Sequence, residues 1–303
     1  MLQETKKKAL EKQLSIIIPH YNSKEFLNRL LESIPLKEEW LEVIVIDDQS
    51  DVDLSALQKK YRSVNFYKNT GKKGAGSARN VGLEKSRGEY LLFADADDYF
   101  TEKAFEVLKK YLDIQSYDIV YFTPLCVKSV SKVVGTRHLR YVDLIEKYLK
   151  DADESIRYKF YVPWSKLIAT KLVREKQISF EEIIASNDVN FSLQIGFHAQ
   201  SIYATKENIY CVTESRTSLT KQFSEAVIDS RFGAMCRYND FMQAHDLCTQ
   251  QGAMAGHLWQ AKRFGLYKFL YRLFYCKYKK YPIFYDLKHF IHALRYLRET
   301  KNV

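Results

Sequence analysis

The stretch Tyr90-Leu91-Leu92-Phe93-Ala94-Asp95-Ala96-Asp97-Asp98-Tyr99 constrains this chain more than any other. Its apolar half reads as a short buried strand that runs straight into three carboxylates. Acids this close repel one another unless a cation sits between them, so the pattern predicts a divalent metal. A strand so apolar suits the doubly covered middle of a parallel sheet, where ligands bind just beyond the carboxyl ends of the strands. The plainer alternative is an acidic turn that caps the helix beginning near Thr101.

The chain around this stretch alternates strand and helix. Residues 14–18 read as a first strand ended by Pro19, which cannot continue a central ladder. A helix follows Ser23, with Phe26, Leu27, Leu30, Leu31 and Ile34 at helical spacing. Residues 43–46 make a second buried strand that stops at Asp47-Asp48, and residues 64–67 a third, after a helix over 54–61. The loop from Asn69 to Gly76 carries Lys72 and Lys73, and a helix over 77–86 leads to the strand at Tyr90. Such alternation predicts right-handed crossovers and a doubly wound α/β sheet with helices on both faces. All carboxyl ends then lie along one edge, so 19–22, Asp47-Asp48 and Asp95-Asp97-Asp98 line one crevice. A nucleotide suits that crevice, because a carboxylate accepts from a base imide or a ribose hydroxyl. Metal-bound acids neutralise a diphosphate, and Lys72, Lys73 and Arg79 offer the same phosphates positive charge.

Four segments carry a family resemblance: Ile16-Ile17-Ile18-Pro19-His20-Tyr21-Asn22, Val45-Ile46-Asp47-Asp48-Gln49-Ser50, Gly76-Ser77-Ala78-Arg79-Asn80-Val81-Gly82-Leu83 and Phe93-Ala94-Asp95-Ala96-Asp97-Asp98. In this order and spacing they resemble the motif series of the family 2 glycosyltransferases, tightly over 14–110 and loosely to about 220. The resemblance implies the GT-A fold, Rossmann-like and mostly parallel, with a nucleotide-diphosphate sugar donor and inversion at the anomeric carbon. It also implies Mn2+ or Mg2+ at the Asp-x-Asp motif. Asp48 would read the base, UDP being the expected nucleotide, with Pro19 and Tyr21 shaping its pocket. Asp95 and Ala96 would lie against the ribose, Lys73 and Arg79 would serve the donor, and Asp97 with Asp98 would hold the metal.

Further along, Val162-Pro163-Trp164-Ser165-Lys166-Leu167 resembles the family's Trp-Asn-Lys-Leu stretch, with Ser165 where Asn is usual. Asn187-Asp188, opening a helix over 189–196, resembles the segment of the catalytic acid, usually Glu-Asp. Asp188 is therefore the expected general base, with Glu181 and Glu182 as nearby alternatives. Helix capping is the competing role for Asp188. Arg216, in Glu214-Ser215-Arg216-Thr217-Ser218, resembles a later Arg-x-x-Ser segment that closes over the donor. Residues 1–220 are thus expected to form the transferase domain, with 14–112 as its donor half and 113–220 as its acceptor half.

Residues 221–303 read as a helical, aromatic C-terminal extension, with helices over 224–244, 252–280 and 283–299. Net charge is +10, and residues 257–303 carry eleven Lys or Arg against two Asp or Glu, while the rest of the chain is nearly neutral. Aromatic and basic residues together suit an anionic membrane surface. The neutral body argues against a nucleic-acid partner. No apolar run reaches the length of a membrane span, and five scattered cysteines read as reduced thiols. The expected location is cytoplasmic, peripheral on the inner face of the cell membrane. The expected activity is hexosyl transfer to a saccharide or lipid-linked acceptor in bacterial surface polysaccharide synthesis. Two other readings stand beside it, a metal-dependent phosphohydrolase and a basic RNA-binding protein. The first expects Thr or Val where Tyr99 stands.

Overall fold

In a computed structural model, which describes residues 12–114, 117–129, 133–214 and 224–284, strand β1 (Leu14–His20) is buried at every position. A strand with no exposed face needs layers on both sides, and the chain supplies them by alternation. Helix α1 (Lys24–Glu32), β2 (Leu41–Asp47), α2 (Ser55–Lys60), β3 (Val64–Lys68), α3 (Ala75–Lys85) and β4 (Tyr90–Phe93) follow in order. β1 pairs in parallel with β2 on one side and β4 on the other, and β3 extends the sheet beyond β2.

The second half adds β5 (Tyr99–Phe100), α4 (Ala104–Ile114), β6 (Ile119–Phe122), β7 (Leu125–Lys128), α5 (Leu139–Asp151) and α6 (Ser155–Lys159). Then come β8 (Lys166–Ala169), α7 (Thr170–Glu175), α8 (Val189–His198), β9 (Ile202–Thr205) and β10 (Tyr210–Glu214). The large sheet runs β3-β2-β1-β4-β8-β6-β9, and a small one runs β5-β10-β7. β8 is antiparallel to both β4 and β6, so the sheet is mostly parallel with one reversed strand. Strand order reverses at the boundary between β1 and β4, which is where an open α/β sheet leaves its ligand crevice.

Three expectations need correction. Pro19 does not end β1 but pairs with Ile46, and the strand runs to His20. In a parallel ladder the residues alternate between neighbours; Ile17 C=O accepts from Ala94 N–H on the β4 side and His20 C=O from Asp48 N–H on the β2 side. Pro19 therefore faces the β4 side, past the last paired residue, where no donor is needed. The helix expected at Ser77 begins two residues earlier, at Ala75.

The third correction lies in the C-terminal region. Helix α9 (Glu225–Ala244) starts at Ser224, whose hydroxyl accepts from Val227 N–H at 3.4 Å. The single helix expected over 252–280 is two, α10 (Ala255–Lys262) and α11 (Leu266–Tyr278), because the chain turns at Gly265 with φ of 113°. That left-handed region is open to glycine and strained for other residues. Tyr161, Val189, Leu193, Tyr238 and Met242 form an apolar cluster that seats α9 on α8. Cys236, Met254, Leu258, Cys276 and Tyr281 form another that joins α9, α10 and α11. The helix expected over 283–299 and the residue Arg216 lie outside the described residues.

Candidate active site

The carboxyl ends of β1, β2 and β4 bring the expected donor residues together. Tyr21 is exposed at the rim, and the Lys73 ammonium lies 4.0 Å from its ring centre. Asp48 is buried and committed inward: its carboxylate accepts from Gly74 N–H at 3.0 and 2.8 Å and from the Asn69 amide at 2.7 Å. Asn69 also donates to Lys72 C=O at 2.9 Å, so Asp48 and Asn69 together hold the loop that carries Lys72 and Lys73. Asn69 gave no motif signal in the sequence. Gly74 sits at φ of 143° and starts α3, and a Cβ on Gly76 would come within 2.2 Å of Glu181 C=O. This close approach is what brings α3 against the segment before Asp188.

Arg79 is the link between the two. Its guanidinium donates to Asp95 Oδ1 at 2.5 Å and to Asn187 Oδ1 at 2.9 Å, and it stacks over Phe180. With a neutral amide at 187, Arg79 pairs with Asp95, and its charge also acts on the neighbouring Asp188.

The three acids after β4 have separate fates. Asp95 takes the bond from Arg79, and its own N–H donates to the Tyr210 hydroxyl at 2.8 Å. Ala96 is buried in the turn. Asp98 was expected beside Asp97 as a metal ligand, but it points inward: Tyr210 Oη donates to it at 2.8 Å and Thr213 N–H at 2.7 Å. Burial, with Asp97 and Asp95 adjacent, pushes the Asp98 carboxyl well above the usual range. The reason is positional, since Asp98 re-enters the fold as β5 pairs with β10. Tyr210 itself stacks on Trp164, with ring centres 5.7 Å apart. That contact gives the Trp164 stretch a structural part in the site, worth about 0.5–1.5 kcal/mol beyond burial. Ser165 next to it takes a φ of 59°, a conformation that Asn accepts more readily than Ser.

Asp97 is the open one. Its C=O is gripped by the Arg29 guanidinium, which also donates to Thr213 Oγ1 at 3.1 Å, while no other residue among those described bonds its carboxylate. Burial and the nearby Asp95 raise its pKa, so the site disfavours its charge as it stands. A carboxylate that is partly exposed, unpaired and penalised by a like charge is the donor chemistry a hard cation relieves. Among the described residues no three side chains form a complete metal cage. Mg2+ and Mn2+ sites of this type use one or two carboxylates and let substrate phosphates complete the shell. The residues present therefore fit such an ion. Arg29 carried no sequence signal, being one polar position of an amphipathic helix.

Asp188, close to Arg79 and Asp95, occupies the N-cap position of α8 but makes no capping bond. Its role as a cap is thereby removed. Burial raises its pKa, opposed chiefly by Arg79. Of the alternatives, Glu181 is spent on an ion pair with Arg237 and a bond from Asn190 at 2.8 Å. Glu182 is exposed.

An α/β fold whose strand ends carry the unpaired Asp97, with Asp188 uncommitted at a helix start near Arg79 and Asp95, suits group transfer. A model of the glycosyl transferase family 2 matches residues 15–175, more than half of the chain, and the chain belongs to that family. That family is one of glycosyltransferases, and the phosphohydrolase reading falls away. It is 27% identical over 213 residues to the Staphylococcus aureus poly(ribitol-phosphate) beta-N-acetylglucosaminyltransferase TarS, covering 67% of this chain and 36% of that protein. It is 26% identical over 246 residues to a poly(ribitol-phosphate) beta-glucosyltransferase of Bacillus spizizenii, covering 78% and 37%. The chain thus spans little more than a third of these relatives. The crystal structure of a TarS fragment in complex with UDP-GlcNAc superposes with a TM-score of 0.62 at 22% identity, over 84% of this chain and 73% of that one. The fold is GT-A.

Proposed function

We propose that the enzyme transfers a hexose from a UDP-sugar to a hydroxyl of a saccharide, polyol-phosphate or lipid-linked acceptor of the bacterial cell surface, with inversion. The observation that carries this reading is the Asp188 carboxylate, which stands at a helix N-terminus without capping it, close to Arg79 and Asp95. A poorly acidic acceptor hydroxyl needs a base within hydrogen-bond reach, and Asp188 accepts its proton as the oxygen attacks the anomeric carbon. The bond from that carbon to the diphosphate breaks, and its electron pair leaves with the nucleotide. Asp97 would hold Mn2+ or Mg2+, and the ion, when bound, stabilises negative charge on the departing diphosphate. Arg79 keeps Asp95 and the Asn187-Asp188 segment in one frame, so donor and base are positioned together. The nucleotide is drawn from the UDP-GlcNAc complex of the TarS fragment, and the acceptor class from the poly(ribitol-phosphate) relatives.

The test is thermal denaturation with UDP-, GDP- and dTDP-sugars, with and without Mn2+. A ligand that binds only the folded state raises its stability by mass action. A UDP-sugar that raises the midpoint only with metal is the expected result. Equal shifts with and without the ion would remove the metal, and a response to GDP-sugars alone would replace the donor.

A further inference from the structure

Helix α11 has two unlike faces. Its inner side carries Arg272, paired with Asp229, together with Cys276, Leu273 and Phe269, packed on α9 and α10. Its outer side carries Leu266, Tyr267, Leu270, Tyr271, Phe274 and Tyr278, with exposures of 63, 83, 38, 58, 66 and 83%. At about 100° per residue these six positions fall within an arc of roughly 140°. Lys277 is exposed within the same arc. The inner positions fill the remainder of the turn, so the outer stripe is a continuous apolar and aromatic surface six side chains long. A stripe of this kind in a folded chain marks an interaction surface.

The charge around the stripe selects its partner. Residues 247–285 contain seven Lys or Arg and no Asp or Glu. Lys262, Arg263, Lys277 and Lys280 are exposed at the ends of α10 and α11. Two copies meeting face to face across this helix would bring these charges together, which disfavours a self-complementary dimer. An anionic lipid surface satisfies both features at once: lysines meet the headgroups, while Tyr rings, apolar in body and polar at the tip, sit at the boundary.

We propose that the outer face of α11 is a lipid-contacting surface that seats the enzyme on an anionic membrane, the helix lying in the plane of the interface. This surface is separate from the transfer chemistry and does not depend on which sugar is moved. The experiment is co-sedimentation of the full chain with vesicles of phosphatidylglycerol and phosphatidylcholine, and with phosphatidylcholine alone, at low and high salt. Binding to the anionic vesicles is expected to be on the order of 10-fold tighter or more, and to weaken with salt. The triple variant Tyr271→Ser, Phe274→Ser, Tyr278→Ser is expected to lose on the order of 10-fold or more of that binding. Because the three side chains are exposed, its melting temperature should match the wild type. Tyr21→Ser, an exposed aromatic elsewhere, should bind vesicles as the wild type does. Indifference of binding to the triple variant, equal binding to both vesicle types, or absence of binding would overturn the proposal. So would a concentration-dependent oligomer, or an oligouridylate complex, abolished by the same triple variant in place of vesicle binding.

Discussion

The crevice at the strand ends and the outer face of α11 are both surfaces left for something outside the chain, and they are built in opposite ways. In the crevice almost every polar group is already engaged, Asp48 by Gly74 and Asn69, Asp95 by Arg79, Asp98 by Tyr210 and Thr213. Among the described site acids, Asp97 and Asp188 keep open carboxylates. On α11 the outer stripe is exposed, and among the described residues nothing from another element is shown packed on it. The crevice thus suits a ligand read atom by atom, and the helix face suits a surface read by area and charge. Disturbing one should leave the other intact.

The largest expected effect lies in the crevice. Asp188→Asn keeps the shape and removes the basicity, so turnover should fall by about 10² to 10⁴ with donor affinity nearly unchanged. In the wild type the acid limb of the rate profile should lie above the ordinary carboxylate range, because burial raises the Asp188 pKa and activity is lost as the group is protonated. A variant at wild-type turnover would move the base to Glu182, since Glu181 is held by Arg237. Asp97→Ala comes next. Calorimetry should find that Mn2+ no longer improves UDP binding, while vesicle binding is retained.

Acid should then separate the two regions by sign. His257 lies among the C-terminal helices with a buried Nδ1 that has no partner among the described residues, and burial, with Arg272 and Arg231, lowers its pKa to about 4. The unfolded chain takes up the proton first, so this contribution is complete above pH 6.5 and is lost as pH falls toward 4, up to about 3 kcal/mol. The crevice acids Asp97, Asp98 and Asp188 are shifted upward, so falling pH relieves the crevice while it weakens the helices. Hydrogen exchange between pH 7 and 5 should show protection lost first in α10 and α11. His257→Gln should flatten that dependence, and protection lost equally everywhere would erase the contrast. The smallest effect belongs to Tyr210→Phe, which removes one donor from the buried Asp98 and should cost about 1–3 kcal/mol in denaturant unfolding. Its midpoint should fall with Mn2+-dependent donor binding weakened but present. Complete loss of metal response would instead make Asp98 a ligand.

Much of this molecule is determined by sequence at short range. Apolar runs of four to seven residues bounded by turn signals read as covered strands, 3.6-residue stripes as helices packed on them, and their alternation puts the acids after β1, β2 and β4 on one edge. The same local logic placed Asp188 at a helix start. What tertiary structure decided is which of these groups are free. Asp97 and Asp98 are adjacent and chemically identical in the sequence; Tyr210 and Thr213, more than a hundred residues away, take one and leave the other. Glu181 is held by Arg237 from another helix, and Arg79, expected to serve the donor phosphates, is engaged by Asp95 and Asn187. The reversed strand β8 and the turn at Gly265 are likewise fixed by what the neighbouring elements can cover. Spacing sets where a side chain starts, whereas the commitment of its polar atoms depends on donors and acceptors that arrive only when distant segments pack.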